Sequence, residues 1–459
     1  MIRKSLANFT ALTAFLVAVL TFAVQGAAYP YKSNSVLPSW AVNATIYEVN
    51  LRQYTEAGTF SAFESQLPRL QKLGVKILWL MPIQPISKVN RKGSLGSPYS
   101  IADYTGINPE FGSSADLTSL VNKAHQLGLK VILDWVANHS GWDNPWTKNK
   151  SWYHLDSEGN IISPNSDWSD VAWLNYNNAD MRTAMIDAMN YWVKTFDIDG
   201  FRADVASGVP NDFWAQATSR LSKSKPLFML AEAQNVYGLL DEAFVSDYNW
   251  DLLNQFKYMA AGQFTQQDFL NFSTNQLLQY STGTFPMNFI TNHDENSWNG
   301  SEFKRFGAAT NGLAALTFVY PGIPLIYSGQ EVGNQHELSF FEKDLIPNLE
   351  KSNSYTNLYS NLVSLKKNNN ALWNNTSLSI SPISTSSSKV ISFARISGKN
   401  KVLFFFNASK SALNLTASSP ALKGTFFQFT NGKKTSLNQK IMFKLPAWGY
   451  EIYSTSPSR

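Results

Sequence analysis

The sequence predicts an α/β fold built on parallel strands, followed by a smaller antiparallel β region. Seven short segments are apolar at nearly every position, as strands covered on both faces are, and amphipathic segments of helical length alternate with them. After about residue 375, strand-like segments follow one another with turn-forming residues and no helix between them. The seven segments are 45–49, 76–81, 130–136, 200–205, 227–231, 287–291 and 324–327.

The helical pattern supports alternation of strands and helices through most of the chain. Amphipathic segments lie at 62–73, 117–127, 181–196 and 213–222, and the first two end in Leu-Gly, a typical helix stop. An eighth strand, the sixth in chain order, is expected near 247–249. The later strands are expected at 389–395, 401–407, 425–429 and 440–445.

One interval is longer than a single connecting helix requires. Residues 138–176, between the third and fourth predicted strands, are rich in Trp, Asn, Asp, Ser and Pro and are predicted to form an irregular excursion. Long loops inside a compact fold are usually functional or disordered. The excursion contains tryptophans that favour order, namely Trp142, Trp146, Trp152, Trp168 and Trp173.

Composition limits the class of protein. A chain of 459 residues exceeds one ordinary core, so we expect two or three domains. The net charge of +5 comes without a Lys/Arg cluster, which argues against nucleic-acid binding. The absence of cysteine from the sequence excludes disulfides, thiolate metal sites and cysteine catalysis. No organic cofactor is expected.

The N-terminus is typical of a secretory signal peptide. Arg3 and Lys4 precede the apolar segment 11–24, and small residues follow at 26–28. We therefore expect a secreted or periplasmic protein with no membrane attachment after cleavage, and a monomer. The predicted boundaries are 1–26 for the signal, 27–374 for the α/β domain and 375–459 for the β domain. The β domain is interpreted as a structural appendix, with a sugar-binding module as the alternative.

Three carboxylates follow predicted strands directly. Asp204 ends Gly-Phe-Arg-Ala-Asp, Glu232 follows the strand at 227–231, and Asp294 follows Thr-Asn-His. In a (β/α)8 barrel the carboxyl ends of the strands converge on one face, where active sites lie. A charge at the end of a buried strand is costly unless it faces a polar cleft. The three residues are therefore candidate catalytic groups.

Paired carboxylates are what glycoside cleavage requires, one as a proton donor and one as a nucleophile or base. Arg202 lies two residues before Asp204, on the same side of the strand, and is expected to keep Asp204 ionised. Glu232 has no cation beside it in the sequence, which favours the role of the acid. Asp294 is left to bind sugar hydroxyls and to stabilise a cation-like transition state.

Other polar residues fall in the same segments. His139 and His293 have no metal-ligand spacing between them, so hydrogen bonding to sugar hydroxyls is preferred over a catalytic metal. Tyr99 is either a sugar-stacking platform or a core aromatic residue.

Four segments, in order, resemble the signatures of the α-amylase family of retaining glycoside hydrolases. They are 134–139 (DWVANH), 200–204 (GFRAD), 231–233 (AEA) and 291–296 (TNHDEN), while 99–112 and 322–331 resemble further family segments. The resemblance covers roughly residues 40–340. It implies a (β/α)8 TIM barrel with a short inserted domain after strand 3 (138–176) and a C-terminal antiparallel β-sandwich domain.

The resemblance also implies roles for these residues. Asp204 is the expected nucleophile, Glu232 the acid/base and Asp294 the transition-state stabiliser. The residues expected to bind the sugar or to support the site are Tyr99, Asp134, His139, Arg202 and His293.

One match to the family pattern implies a structural calcium ion, and one departure from that pattern argues against it. Asn138 matches a family calcium ligand, and the excursion offers further oxygens from Asp143, Asp156, Asp167 and Asp170. Where many amylases have Lys-His after the nucleophile, this chain has Ser207-Gly208.

The family's Asp-Leu-Asn appears here as Trp173-Leu174-Asn175, which either adds a sugar-stacking surface or packs internally.

The sequence favours secreted hydrolysis of α-1,4-linked glucans such as starch, glycogen or maltooligosaccharides. A glucanotransferase or an α-1,6-active relative would use the same carboxylates. An inactive amylase-like binding protein is the alternative of another class, and it would be expected to lack one of the three carboxylates, all of which are present.

Overall fold

Within residues 36–458, which the computed structural model describes, eight parallel strands close into a barrel. Around the barrel the strands follow the order β1-β2-β3-β6-β7-β8-β9-β10, and β10 pairs with β1 to close it. These strands are β1 (Ile46–Val49), β2 (Ile77–Leu80), β3 (Lys130–Val136), β6 (Gly200–Asp204), β7 (Phe228–Ala231), β8 (Ser246–Tyr248), β9 (Phe285–Asn288) and β10 (Ile323–Tyr327). Two short strands between β3 and β6, β4 (His139–Gly141) and β5 (Val171–Trp173), belong to the excursion.

Helices connect the barrel strands and cover their outer faces. Their apolar residues join the barrel strands in one buried cluster. The helices are α1 (Leu51–Tyr54), α2 (Phe60–Glu64), α3 (Leu67–Leu73), α4 (Ser114–Gln126), α5 (Ala179–Phe196), α6 (Asn211–Leu221), α7 (Leu239–Glu242), α8 (Trp250–Ala260), α9 (Gln266–Leu277), α10 (Glu302–Phe306), α11 (Thr310–Val319) and α12 (Ser354–Asn368).

The predicted (β/α)8 TIM barrel is confirmed, with two local corrections. The segment predicted as one helix at 62–73 is two helices, α2 and α3, because Pro68 sits in the first turn of α3, where a missing N–H costs least. The strand predicted at 287–291 ends at Asn288, since Phe289 continues the apolar sequence as a packing residue against Tyr248 and Trp250.

The excursion after β3 is ordered by a small antiparallel sheet. His139 of β4 pairs with Trp173 of β5, and Gly141 pairs with Val171. Between these strands lie two 3-10 turns, Pro145–Lys148 and Lys150–Trp152. The short inserted domain thus begins three residues after β3 and is attached directly to the carboxyl end of the barrel.

The C-terminal region forms two antiparallel sheets, as the predicted β-sandwich requires. Within residues 36–458 their strands are ordered β11-β13-β14-β19-β16-β17 and β12-β15-β18. Several short strands were not predicted because their apolar residues are few. The strands are β11 (Ser381–Pro382), β12 (Ser384–Thr385), β13 (Val390–Ser397), β14 (Asn400–Asn407), β15 (Leu413–Ser418), β16 (Gly424–Gln428), β17 (Lys434–Leu437), β18 (Lys440–Leu445) and β19 (Tyr450–Ser454).

One face of the larger C-terminal sheet is part of the barrel's own core. Phe393 of β13 stacks on Phe269 of α9 at 5.4 Å between ring centroids. Phe406 of β14 packs so closely against Gly312 of α11 that an added Cβ would lie 2.4 Å from its ring. Both phenylalanines belong to the same buried cluster as the barrel strands.

The predicted signal peptide, residues 1–26, lies outside the described residues. Across residues 36–458, no helix combines the length and the apolar character that crossing a bilayer requires.

Gly200 at the start of β6 leaves no room for a side chain. An added Cβ would lie 1.9 Å from the carbonyl oxygen of Phe228 on the neighbouring strand. We expect Gly200→Ala to lower the free energy of unfolding by more than about 3 kcal/mol, because backbone atoms cannot move away cheaply. Chemical denaturation followed by circular dichroism measures this change.

Gly128→Ala is the matched control. Gly128 also has a positive φ (74°), but an added Cβ there meets nothing within 4 Å. This variant is expected to lose only about 1 kcal/mol from backbone strain. Equal losses in the two variants would show that backbone conformation, and not the β6–β7 contact, is what requires glycine at position 200.

Candidate active site

A buried arginine lies at the centre of the carboxyl face of the barrel. Arg202 on β6 has no exposed surface. Its Nη1 donates hydrogen bonds to Oδ1 of Asp134 at 2.8 Å and Oδ1 of Asp204 at 2.9 Å. Its Nη2 forms an ion pair with Oε1 of Glu232 at 2.9 Å, and its Nε donates to the hydroxyl of Tyr248 at 3.1 Å. The guanidinium therefore joins groups from four barrel strands or the segments that follow them.

Strand register brings these groups together. Asp134 of β3 is paired directly with Arg202, and Asp204 lies two residues further along β6, on the same side of the strand. Glu232 follows β7, the neighbour of β6 on the other side. The expectation that no cation lies beside Glu232 was wrong, because a long arginine side chain reaches across the strand pair, a contact that lies outside the local sequence.

The two neighbouring carboxylates affect each other's ionisation. Burial raises the pKa of Asp204 well above its usual value, the negative charge of Glu232 raises it further, and Arg202 acts in the opposite direction. Arg202 therefore does favour the ionised form, as predicted, but burial outweighs it. Because two close carboxylates cannot both ionise freely, the charge of Glu232 adds to the effect of burial and favours the protonated form of Asp204.

Val205 adopts a strained backbone conformation directly after Asp204. It has φ 42° and ψ 47°, in the left-handed region, where a β-branched residue is rare. Its N–H donates to Oε2 of Glu232 at 2.7 Å, and the N–H of Ala206 donates to the backbone carbonyl of Glu232 at 3.1 Å. Such strain costs about 1–3 kcal/mol and here accompanies the positioning of a carboxylate.

His293 connects a second group of carboxylates. Its Nδ1 lies 2.5 Å from Oε1 of Glu48, which is fully buried on β1. Its Nε2 lies 2.8 Å from the hydroxyl of Tyr99 and 3.3 Å from Oδ2 of Asp294. Burial alone would lower the pKa of His293, but the charges of Asp294 and Glu48 raise it to about 9. At neutral pH the ring is therefore an imidazolium that donates from both nitrogens.

Tyr99 connects the side chains around Arg202 with the side chains around His293. Its hydroxyl accepts from His293 and donates to Oδ2 of Asp134 at 3.0 Å, an oxygen that also accepts from Nε1 of Trp79 at 3.1 Å. Since Asp134 also binds Arg202, its carboxylate is fully engaged within the protein. Asp294 is different, because 41% of its side chain is exposed. Of these groups, Asp294 is therefore open to a ligand in the cleft.

Two predicted residues lie at the edge of this arrangement. Nδ1 of His139 is 3.2 Å from the Asn138 amide, and its ring packs against Trp168 at 5.6 Å. Burial lowers the pKa of His139 to about 4, so this imidazole is neutral at neutral pH. The side-chain oxygen of Asn138 faces Gly208. Asn138 and His139 thus lie at the start of the excursion, while the other predicted site residues form one hydrogen-bonded and ion-paired group.

Comparison with known proteins identifies the family. Residues 44–371 match the model of the α-amylase catalytic domain, which is most of the chain. The chain belongs to the α-amylase family of glycoside hydrolases. This family includes enzymes that act on α-glucans, and the barrel with its carboxyl-face carboxylates is the part of the chain that the model covers.

Individual relatives of this α-amylase-family chain are distant. It is 27% identical over 315 residues to α-amylase MalA of Haloarcula japonica, covering 65% of this chain and only 45% of that protein. It is 26% identical over 444 residues to a cyclomaltodextrinase of Thermoanaerobacter pseudethanolicus, covering 83% of this chain and 74% of the relative. The crystal structure of an α-amylase from Lactobacillus plantarum has a TM-score of 0.81 and 29% identity, covering 91% of this chain and all of that one.

Three of the four carboxylates considered as calcium ligands are engaged elsewhere. Asp143 accepts from the backbone N–H of Lys88, Asp156 from the turn at 158–160, and Asp170 pairs with Lys92 at 3.2 Å. Over residues 36–458, three acidic or histidine side chains nowhere converge as a metal site would require. These side chains therefore do not fit a calcium ion together with Asn138. Calcium binding therefore stays a prediction.

Several residues of the family site were not predicted from the sequence. Glu48 could have been found, because an acidic residue inside the apolar segment 45–49 is the same signal that identified Asp204. Trp79 and Tyr248 give no such signal, since aromatic residues in strands are usually core residues. Val205 gives no such signal either, because its contribution comes from its backbone conformation.

The raised pKa of His293 predicts a loss of stability at alkaline pH. An unfolded histidine titrates near 6.5, and His293 titrates at about 9 in the fold. The folded state therefore binds an extra proton, and this contribution is complete below about pH 6.5 and lost as pH rises through 9. It amounts to roughly 3 kcal/mol of unfolding free energy.

Urea unfolding at about pH 6 and about pH 9.5 measures this contribution. The fall in stability between the two is expected to be smaller in His293→Gln than in the wild type by roughly 3 kcal/mol. His336→Gln, at an exposed histidine, serves as the control. A fall of the same size in His293→Gln and the wild type would contradict the assignment.

Proposed function

We propose that this chain hydrolyses α-1,4-glucosidic bonds of starch, glycogen or maltooligosaccharides by a retaining double displacement. The observation that carries the proposal is the position of Asp204 and Glu232, each 2.9 Å from the same buried guanidinium. Two carboxylates that bind the same guanidinium suit attack by one and proton donation by the other.

In the first step, Asp204 attacks the anomeric carbon while Glu232 donates its proton to the glycosidic oxygen. The bond from the anomeric carbon to that oxygen breaks, and an ester bond to Asp204 forms. While Glu232 carries the proton, Arg202 pairs with the ionised nucleophile.

In the second step, the ionised Glu232 accepts a proton from water, whose oxygen attacks the anomeric carbon from the side that the first sugar left. The ester bond breaks and Asp204 regains its charge. Two inversions at the same carbon give net retention. The N–H of Val205 donates to Oε2 of Glu232 and holds the carboxylate in position for this role.

The remaining side chains bind the sugar or hold these groups in place. Asp294, which is partly exposed, and the imidazolium of His293 beside it are placed to bind hydroxyls of the cleaved sugar. The carboxylate of Asp294 also favours positive charge on the anomeric carbon as the bond breaks. Asp134 and Arg202 act as positioning residues, Tyr99 presents a ring beside His293, and neutral His139 lies at the edge of the site.

The names of the relatives and the N-terminal sequence support the proposed substrate and location. The relatives include proteins named α-amylase, maltogenic amylase and cyclomaltodextrinase, which supports an α-1,4-linked glucan as substrate. We propose export on the basis of the charged and apolar pattern of residues 1–26.

Product analysis on soluble starch and maltoheptaose tests the proposed reaction. The anomeric form of new reducing ends is followed by NMR immediately after cleavage. The wild type is expected to release α-anomeric maltooligosaccharides. In Glu232→Gln the rate is expected to fall by about a thousandfold or more, because the acid is lost while the shape of the side chain is retained.

Other outcomes would assign a different reaction. β-Anomeric products would replace retention with inversion. Longer or cyclic products without net new reducing ends would indicate a glucanotransferase, and cleavage of α-1,6-linked glucans alone would indicate a debranching enzyme. Binding of maltoheptaose by folded protein without turnover of any of these substrates would indicate an inactive binding protein.

A further inference from the structure

Trp298 is an exposed tryptophan four residues after Asp294. Of its surface, 58% is accessible, although indole rings are usually largely buried. It lies on a single π-helical turn, Glu295–Asn299, that begins directly after Asp294. Such turns are rare and frequently occur at functional sites. The proposed mechanism assigns no role to this side chain.

A series of aromatic rings connects Trp298 to the catalytic site. The indole lies 5.3 Å from the ring of Phe340, between centroids. Phe340 in turn stacks on Tyr99 at 6.1 Å with 16° between the ring planes, and Tyr99 stacks on His293 at 5.5 Å. The apolar surface beside the proposed catalytic sugar therefore continues outward to the exposed indole.

The turn that carries Trp298 is fixed by neighbouring segments. Nδ2 of Asn296 donates to the carbonyl of His336 at 3.1 Å, and its Oδ1 accepts from the N–H of Leu338 at 2.9 Å. Glu295 pairs with Arg305 at 2.7 Å. A platform held in this way loses little conformational entropy when a ligand binds.

The aromatic series that ends in Trp298 meets the catalytic site beside Asp294 and not at the proposed acid. Glu232 contacts Arg202 and Val205, whereas the aromatic series starts from Tyr99 and His293, next to Asp294. The acid protonates the leaving oxygen and therefore faces the departing sugar. The indole thus flanks the part of the substrate that stays bound to Asp204, which is the glycone.

We propose that Trp298, supported by Phe340, is a stacking platform for the second glucose unit of the glycone, next to the unit that is cleaved. This inference rests on the proposed function and adds a residue that determines which bond is cut. A pyranose presents a face of C–H groups that packs on an aromatic ring, and an exposed, rigid indole offers that surface.

Maltotriose labelled at its reducing end tests the platform. Its two bonds differ in that one leaves a two-glucose glycone and the other a one-glucose glycone. Only the first can use Trp298. In Trp298→Ala the ratio of the first cleavage to the second is expected to fall about tenfold, whereas Trp298→Phe should retain most of it. Mass spectrometry of the labelled and unlabelled products gives the ratio.

Tyr258→Ala, at an exposed aromatic residue on α8, is the matched control and should leave the ratio unchanged. In parallel, maltotriose is titrated into Glu232→Gln with and without Trp298→Ala. The double variant is expected to bind about tenfold more weakly.

The outcomes test the role of Trp298 separately from the proposed hydrolysis. An unchanged cleavage ratio in Trp298→Ala, or unchanged maltotriose binding in the double variant, would overturn the role of Trp298 while leaving the hydrolase intact. A wild type that neither cleaves nor binds α-glucans would overturn the proposed function, and the platform with it.

Discussion

The buried guanidinium of Arg202 is the constraint on which the rest of the site depends. A charge without exposed surface must be compensated by partners at hydrogen-bond distance, and Asp134, Asp204 and Glu232 supply them from three adjacent strands or their ends. These partners meet only when the strands keep their register in the closed barrel. The register of the barrel strands therefore sets the geometry of the reactive groups, because misalignment of a single strand would leave a buried ion unpaired.

The site as a whole holds more carboxyl groups than cationic groups. Two buried cationic groups, Arg202 and the imidazolium of His293, face five carboxylates. A cleft of this kind suits a sugar that becomes positively charged as its glycosidic bond breaks, because the fixed charges need not reorganise during the reaction. The carboxylates are Glu48, Asp134, Asp204, Glu232 and Asp294.

Much of this could be predicted from sequence because buried parallel strands are apolar throughout and a carboxylate at their end is conspicuous. Asp204 and Glu232 were found in this way, and so was the alternation that defines the barrel. The pairing of Arg202 with Glu232 was missed, since register between strands is not a local property. The left-handed backbone of Val205 and the π-helical turn that presents Trp298 were missed too, because neither valine nor tryptophan favours these conformations.

The shared core between the barrel and the larger C-terminal sheet limits how this chain can be divided. Phe393 and Phe406 pack against α9 and α11 as interior residues do, so the larger C-terminal sheet is part of the barrel's core, while the smaller sheet packs on a second buried cluster. A barrel cut free at the apparent domain boundary would expose a large apolar face and associate with itself. Recombination with relatives would succeed only when the barrel helices and the sheet are exchanged together.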